Sequence, residues 1–345
     1  MINIGVIGCG KIAMVRHLPE ISKLKNAKIT ALFDLNKERA EELSKEYGGK
    51  VYDQWQDLIK ASDVDAVFVL TANSFHAEIS IAALEAGKHV MCEKPMAVTE
   101  DECEKMVEAA KKSGKYLMIG QNQRLAEAHI KAHQLIKSGK IGKILTFQTT
   151  FGHAGADNWS VDGKKSWFFD KSKAHFGAIV DLGVHKTDLI QYLLDDYIIE
   201  VSAYLATLDK KDEDGNPIEL EDNAICLYKM HQGSIGTMTA SWTTYGREEN
   251  STILYGTEGT MEIYKNPEHS IVVYNKDGSV EYYDTENIQT NNAQTDSGIA
   301  ELFINSIISC QEPEISGESV LKAMRAVFGA EKSFKTGMSV RVNVD

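Results

Sequence analysis

Residues 2–13 read INIGVIGCGKIA. The stretch opens as a near-continuous apolar run, Ile2 to Gly8, with none of the polar alternation of a half-exposed strand, so it predicts a strand buried on both faces. Gly8-Cys9-Gly10-Lys11-Ile12-Ala13 then forms a G-x-G-x-x-A pattern at the point where a helix begins, predicted over Lys11 to Lys23. In that setting Gly8 permits a tight turn, Gly10 lets backbone amides come close to a pyrophosphate, and Ala13 lets helix pack closely on strand. The helix N-terminus, entered through Lys11 and Ile12, adds partial positive charge. A second strand, AKITALF (27–33), ends at Asp34, whose carboxylate would accept hydrogen bonds from the ribose hydroxyls of an adenosine. The same carboxylate would repel a 2′-phosphate, which favours NAD over NADP. Lys37 and Arg39 stand close enough in sequence to keep NADP open.

The same texture continues outward. A charged helix is predicted over Lys37 to Tyr47, a strand at VDAVFVLT (64–71), a helix over His76 to Ala86, a strand at KHVMCE (88–93), a helix over Glu100 to Lys112 and a closing strand at YLMIG (116–120). Apolar strands separated by helices describe a parallel sheet covered on both faces, a doubly wound Rossmann domain. Two loops at the carboxyl ends of its strands fall where such sheets bind ligands. One is TANSFH, with Thr71, Asn73 and His76; the other is CEKP, with Glu93, Lys94 and Pro95.

Past Gly120 the pattern changes. A helix near Ala126 to Ser138 precedes KILTFQTTF, and then come AICLYKM, GTMTASWTTY, NSTILYG, GTMEIYK, SIVVYN and SVEYYD, joined by turn sequences such as NKDG. Strands joined by short turns imply antiparallel pairing, so the second half is expected to be an α+β domain with a large, mostly antiparallel open sheet. The expected division is residues 1–121 for dinucleotide binding and 122–345 for substrate binding and oligomerisation. A chain of 345 residues exceeds what one core usually sustains, which agrees with two domains.

Composition narrows the partners. The net charge is −13, which disfavours nucleic acid and anionic membrane surfaces. No apolar run approaches the roughly 20 residues that cross a bilayer, and Met1 leads into INIGVIG without a basic stretch, so a cytoplasmic location is expected. The cysteines, 9, 92, 103, 226 and 310, are odd in number and scattered, implying neither a disulfide framework nor a zinc site.

One further segment calls for chemistry. In DLGVHKTD (181–188), Asp181, His185 and Asp188 recur at spacings of four and three, which would place them on one face of an otherwise apolar helix. Buried ionisable groups are costly unless satisfied, and substrate hydroxyls would satisfy them. A self-satisfied polar network is the competing account of the same stripe. Asp188 is left between contact with substrate and support of His185. Arg124 in QNQR, His153 and Asp157 in FGHAGADNW, and Trp167 in SWFF are candidate substrate contacts, with a Trp face suited to a sugar ring. Equally, Trp159, Trp167, Phe168 and Phe169 would serve as core. His153, Asp157, His175, Asp181 and His185 are metal-ligating types, but their spacing matches no zinc signature and hydride transfer needs no metal, so no metal is expected.

Together, G-x-G-x-x-A with its downstream acid, the T-x-N-x-x-H loop, E-K-P and D-x-G-x-H-x-x-D resemble the glucose-fructose oxidoreductase, inositol dehydrogenase and MocA family. The resemblance covers essentially the whole chain. The sequence departs from the family where Ala72 replaces a common Pro, which should leave the loop less rigid. The resemblance implies an NAD(P)-dependent dehydrogenase for sugars, cyclitols or related polyols, working as a homodimer or homotetramer through the C-terminal sheet. It places the catalytic lysine on Lys94, the acid-base histidine on His185 and the accompanying carboxylate on Asp181. Two alternatives stay open: a glycosidase that oxidises transiently and eliminates, and a dinucleotide-sensing regulator without catalysis.

Overall fold

The computed structural model describes residues 1–161, 163–285 and 296–343. They form two compact units. The first contains residues 1–122 together with the returning segment 296–321, and the second contains 123–285 and 322–343.

In the first unit, β1 (Ile2–Ile7), β2 (Ala27–Phe33), β3 (Lys50–Val51), β4 (Ala66–Val69), β5 (His89–Cys92) and β6 (Leu117–Ile119) make one sheet in the order β3-β2-β1-β4-β5-β6. Every pairing is parallel. The connecting helices are α1 (Leu18–Lys23), α2 (Lys37–Tyr47), α3 (Trp55–Lys60), α4 (His76–Glu85) and α5 (Glu100–Ser113). Ala66, Val67, Phe68 and Val69 are all fully buried, which is why β4 reads as an unbroken apolar run. α5 starts at a reciprocal capping box, Thr99 Oγ1 accepting from Glu102 N and Glu102 Oε2 from Thr99 N, and stops at Gly114 with φ 64°. Strand order reverses between β1 and β4, and the turn after β1 therefore lies at the topological switch point.

Two features depart from the sequence reading. The helix expected over Lys11 to Lys23 is interrupted by a π-helical turn, Ala13–His17, immediately before α1. Pro19 follows it; proline supplies no amide hydrogen and its ring would press on the carbonyl four residues back, which disfavours regular α geometry there. The first unit also does not end at residue 121, because helix Ile299–Ser309 packs against α1, with Phe303 edge-on to Phe68 at 5.6 Å. Glu20 of α1 accepts from the backbone amides of Ser297 and Ala300 at the start of that helix.

In the second unit, α6 (Glu127–Lys137), α7 (Lys171–Ala174) and α8 (Val184–Leu194) accompany nine strands. These are β7 (Ile144–Gly152), β8 (Ile198–Ala206), β9 (Asn223–Met230), β10 (Ile235–Ser241), β11 (Glu249–Gly256), β12 (Gly259–Ile263), β13 (Ile271–Asn275), β14 (Val280–Tyr283) and β15 (Val340–Arg341), in the order β14-β13-β12-β11-β7-β10-β9-β8-β15. All pairings are antiparallel except β7 with β10, which is parallel. The alternation in β9 shows how the sheet divides its faces. Ala224, Cys226, Tyr228 and Met230 are buried, and the Tyr228 hydroxyl meets Thr187 Oγ1 of α8 at 2.8 Å. Ile225 and Leu227 point the other way and are about half exposed. Four of the five cysteines are buried, Cys310 is exposed, and none is paired.

Candidate active site

The first unit gathers the predicted dinucleotide residues at the carboxyl ends of its strands. Gly8 has φ 99°, and a Cβ there would lie 2.5 Å from the carbonyl oxygen of Leu70, so only glycine lets this turn close on the loop after β4. Gly10 faces open space, with no atom within 4 Å of where its Cβ would be. That is the clearance a pyrophosphate needs at the amides of this turn. Lys11 and Ile12 are half-buried, and Ala13 is fully buried.

Asp34 is already anchored, its two oxygens accepting from Cys9 N at 2.6 Å and Asn36 N at 2.7 Å. This fixes the carboxylate at the end of β2 and leaves lone pairs for ribose hydroxyls. Lys37 is engaged with Asp53 at 2.6 Å on the surface. The residues fit NAD: an open glycine turn, a fixed acid, and a neighbouring lysine paired with a carboxylate.

The two loops beyond are tied to each other. Asn73 is buried in a short 3₁₀ turn, Asn73–Phe75. Ala72 takes φ −70° and ψ 152°, dihedrals that proline would also adopt, so the departure at this position leaves the loop's path unchanged. His76 is buried, with Nδ1 2.7 Å from the Pro95 carbonyl oxygen and Nε2 3.1 Å from that of Thr71. Burial lowers its pKa, against the pull of those carbonyls, so the ring is neutral and holds a single proton. That proton can serve only one of the two carbonyls; placed on Nδ1, where the contact is shorter, it is donated to Pro95 O and ties one loop to the other. Lys94 is half-buried, its peptide to Pro95 is cis, and its backbone amide donates to Glu93 Oε2 at 3.0 Å.

The second unit gathers a different group. A π-helical turn, Ile179–Gly183, carries Asp181 and runs directly into α8, which carries His185. Glu221 holds the entry to this turn by accepting from Gly177 N at 2.8 Å and Ile179 N at 3.2 Å. Burial pushes the Glu221 carboxyl up to about 7 despite these donors. Asp181 Oδ2 accepts from Trp242 Nε1 at 2.9 Å and lies 4.0 Å from His153 Nε2. His153 Nδ1 accepts from Gly155 N at 2.9 Å, which places the ring proton on Nε2, the nitrogen facing Asp181. Phe151 lies between the histidines, its ring centroid 5.9 Å from His153 and 6.0 Å from His185.

Other predicted residues take different partners. Arg124 forms a buried bidentate pair with Asp188, Nε to Oδ2 at 2.7 Å and Nη2 to Oδ1 at 2.5 Å. Asp188 therefore braces Arg124, and the two span α8 and the segment before α6. Asp157 pairs with Lys210 at 3.1 Å. Trp167 stacks on Phe168 at 4.0 Å, and Phe169 meets Trp242 edge-on at 5.8 Å, so the aromatic run supports the tryptophan that holds Asp181. Among the described residues, no group of three or more His, Cys, Asp or Glu could hold a metal ion, and no helix is long and apolar enough to cross a membrane. Trp242 and Glu221 were missed from sequence. Trp242 had a signal: a buried indole N–H requires an acceptor, and SWTTY places one at a strand end.

Comparison with known proteins agrees in both units. A family model described as an oxidoreductase family with an NAD-binding Rossmann fold matches residues 2–121, and one described as a GFO/IDH/MocA C-terminal domain matches 129–262. A levoglucosan dehydrogenase from Pseudarthrobacter phenanthrenivorans is 31% identical over 290 residues, 75% of this chain and 73% of that protein. A myo-inositol 2-dehydrogenase from Thermotoga maritima is 26% identical over 350 residues, 99% of this chain and 98% of its own. A solved structure of a levoglucosan dehydrogenase in complex with NADH and levoglucosan superposes with a TM-score of 0.86 at 25% identity, covering 99% of each chain. The chain belongs to the glucose-fructose oxidoreductase, inositol dehydrogenase and MocA family, the NAD-binding oxidoreductases built on this pair of folds.

Proposed function

We propose that this oxidoreductase oxidises a secondary alcohol of a sugar, cyclitol or glycoside in the cytoplasm, with NAD receiving the hydride when bound. The observation that carries this reading is the cluster in the second unit: two histidines beside Phe151, one of them 4.0 Å from the Asp181 carboxylate, with that carboxylate and that imidazole oriented by Trp242 and Gly155. It is matched by the use of sugar and cyclitol substrates in the relatives' names.

The roles follow from what alcohol oxidation needs. His185 accepts the hydroxyl proton, because an alkoxide left uncompensated is too unstable to form. Lys94, in the first unit, contributes an ammonium able to stabilise negative charge on a substrate oxygen. Asp181, held by the Trp242 N–H, accepts from a neighbouring hydroxyl, and His153 presents Nε2–H to the same side. Gly8, Gly10, Asp34, Thr71 and Asn73 hold the dinucleotide. A homo-oligomer through the open face of the second sheet is part of the proposal. Tyr204, Ile225, Leu227 and Ile235 lie on that face, each 48–80% exposed.

The test is a screen of NAD and NADP against sugars, inositols and glycosides, reading reduced cofactor and released aglycone. NADH formation with one or more polyols is the expected result. Aglycone released without net NADH would replace the proposal with elimination chemistry, and NADH binding without turnover on any of them would point to a sensor.

Trp242→Phe supplies a second prediction. It removes a donor to a carboxylate, an interaction of about 1.5–3 kcal/mol, so kcat should fall about tenfold or more. The smaller ring also costs packing, so thermal melting belongs beside the kinetics. An unchanged kcat in a folded variant would remove Asp181's orientation from the mechanism.

A further inference from the structure

Glu93 directly follows β5 and is 5% exposed. One oxygen, Oε2, accepts from the Lys94 amide at 3.0 Å. The other, Oε1, lies 2.8 Å from His17 Nε2 and 3.5 Å from Arg16 Nη1. Gly120 adjoins the carboxyl group: a Cβ there would come within 3.1 Å of it, a tight contact. His17 is fully buried and packs edge-on against Phe68 of β4 at 5.7 Å. Burial alone would raise the Glu93 pKa, but the hydrogen bond from His17 and the charges of His17, Arg16 and Lys94 bring it down to about 2. It is a carboxylate at neutral pH.

Stability alone does not account for this cluster, because a buried ion pair is often no better than well-packed apolar side chains of the same volume. Its position offers a reason. Arg16 and His17 belong to the π-helical turn that follows the glycine turn, and Glu93 joins that turn to the backbone of Lys94. On the other side of Lys94, His76 holds the Pro95 carbonyl. Buried polar side chains therefore pin both backbone neighbours of the Lys94 side chain.

We propose that Glu93 is a positioning residue, tying Lys94 to the helix after the glycine turn so that the ammonium and the bound dinucleotide keep a fixed register. This rests on the role given to Lys94 above. A misplacement of about 1 Å can cost about 10²-fold in rate, so the tie has consequences for turnover without touching substrate.

Glu93→Gln tests it. A carboxylate accepts on both sides, whereas an amide has one accepting oxygen; with that oxygen toward Arg16 and His17, its NH₂ group meets the Lys94 N–H donor to donor. Three results are expected. Hydrogen exchange at the Lys94 amide accelerates while β1 and β4 amides keep their protection. The kcat for the preferred polyol falls about 10- to 100-fold, and the primary deuterium isotope effect on it rises, with NADH affinity within about threefold. A variant that merely lost folded fraction would lose rate with an unchanged isotope effect and unchanged Lys94 exchange, and that outcome overturns the proposal. If Glu93→Gln does not fold, His17→Phe, which keeps the edge contact with Phe68 and removes the nitrogen, carries the same comparisons. Should the unsubstituted protein oxidise no polyol, the functional reading is what fails, and the exchange measurement still decides whether Glu93 holds Lys94.

Discussion

His185→Ala is expected to lower kcat by about 10² to 10⁴-fold while leaving the NADH dissociation constant within about twofold of the unsubstituted protein. The asymmetry follows from where the residues lie. His185 is on α8 of the second unit, 7% exposed, with Phe151 against its ring. The glycine turn, Asp34 and the loop after β4 are all in the first unit and keep their own hydrogen bonds without it. Removing a proton acceptor used only as the alkoxide develops lowers kcat and kcat/KM together and leaves ground-state binding of the nucleotide alone. Stopped-flow or steady-state kinetics paired with a fluorescence titration of NADH checks both halves. Melting should accompany them, since trimming a buried ring to a methyl group costs about 2–5 kcal/mol. Lys94→Ala should behave similarly in kcat, and a double variant that keeps full activity would dismantle the site.

How much of this was legible in the sequence depends on distance along the chain. The turn after β1 was readable because its determinants lie within six residues, and Asp34 because it ends the next strand. The parallel character of the first sheet followed from alternating strand and helix, and the antiparallel character of the second from strands joined by short turns. The stripe at 181–188 was readable in composition but not in geometry. A spacing of four and three puts three residues on one face only if the helix is regular, and here Asp181 sits in a π-helical turn, where the residue count per turn is larger. Asp181 then meets Trp242, 61 residues away, while Asp188 meets Arg124, 64 residues away. The His17 to Glu93 contact spans 76 residues. Such pairings depend on which strands become neighbours, and neither periodicity nor local motif encodes that. The same limit applies to the returning helix Ile299–Ser309, whose amphipathic face shows that it packs but not against which unit.

Gly8→Ala and Gly10→Ala should separate the two reasons for glycine in one turn. At Gly8 the φ of 99° lies in a region that costs an L-residue about 1–2 kcal/mol, and overpacking adds about 1–3 kcal/mol more. The clash falls on backbone, with Leu70 O at 2.5 Å, Leu70 C at 2.6 Å and Thr71 N at 3.0 Å, so no rotamer change relieves it. Relief requires moving the loop after β4, which carries Asn73 and is tied to Pro95 through His76. Gly8→Ala should therefore lower stability by several kcal/mol, by melting or denaturant titration, and lose NADH binding with it. Gly10 has no positive φ and nothing within 4 Å of its would-be Cβ. Alanine there costs the fold little, and by narrowing the unfolded ensemble it can add about 0.4–1 kcal/mol. Its methyl group instead fills the space in which the pyrophosphate approaches the turn. Gly10→Ala should fold at least as stably as the unsubstituted protein and bind NADH about tenfold or more weakly, equivalent to about 1.4 kcal/mol or more. If Gly10→Ala bound NADH unchanged, the pyrophosphate would have to lie elsewhere, and the assignment of this turn to the cofactor would fail while the fold stood.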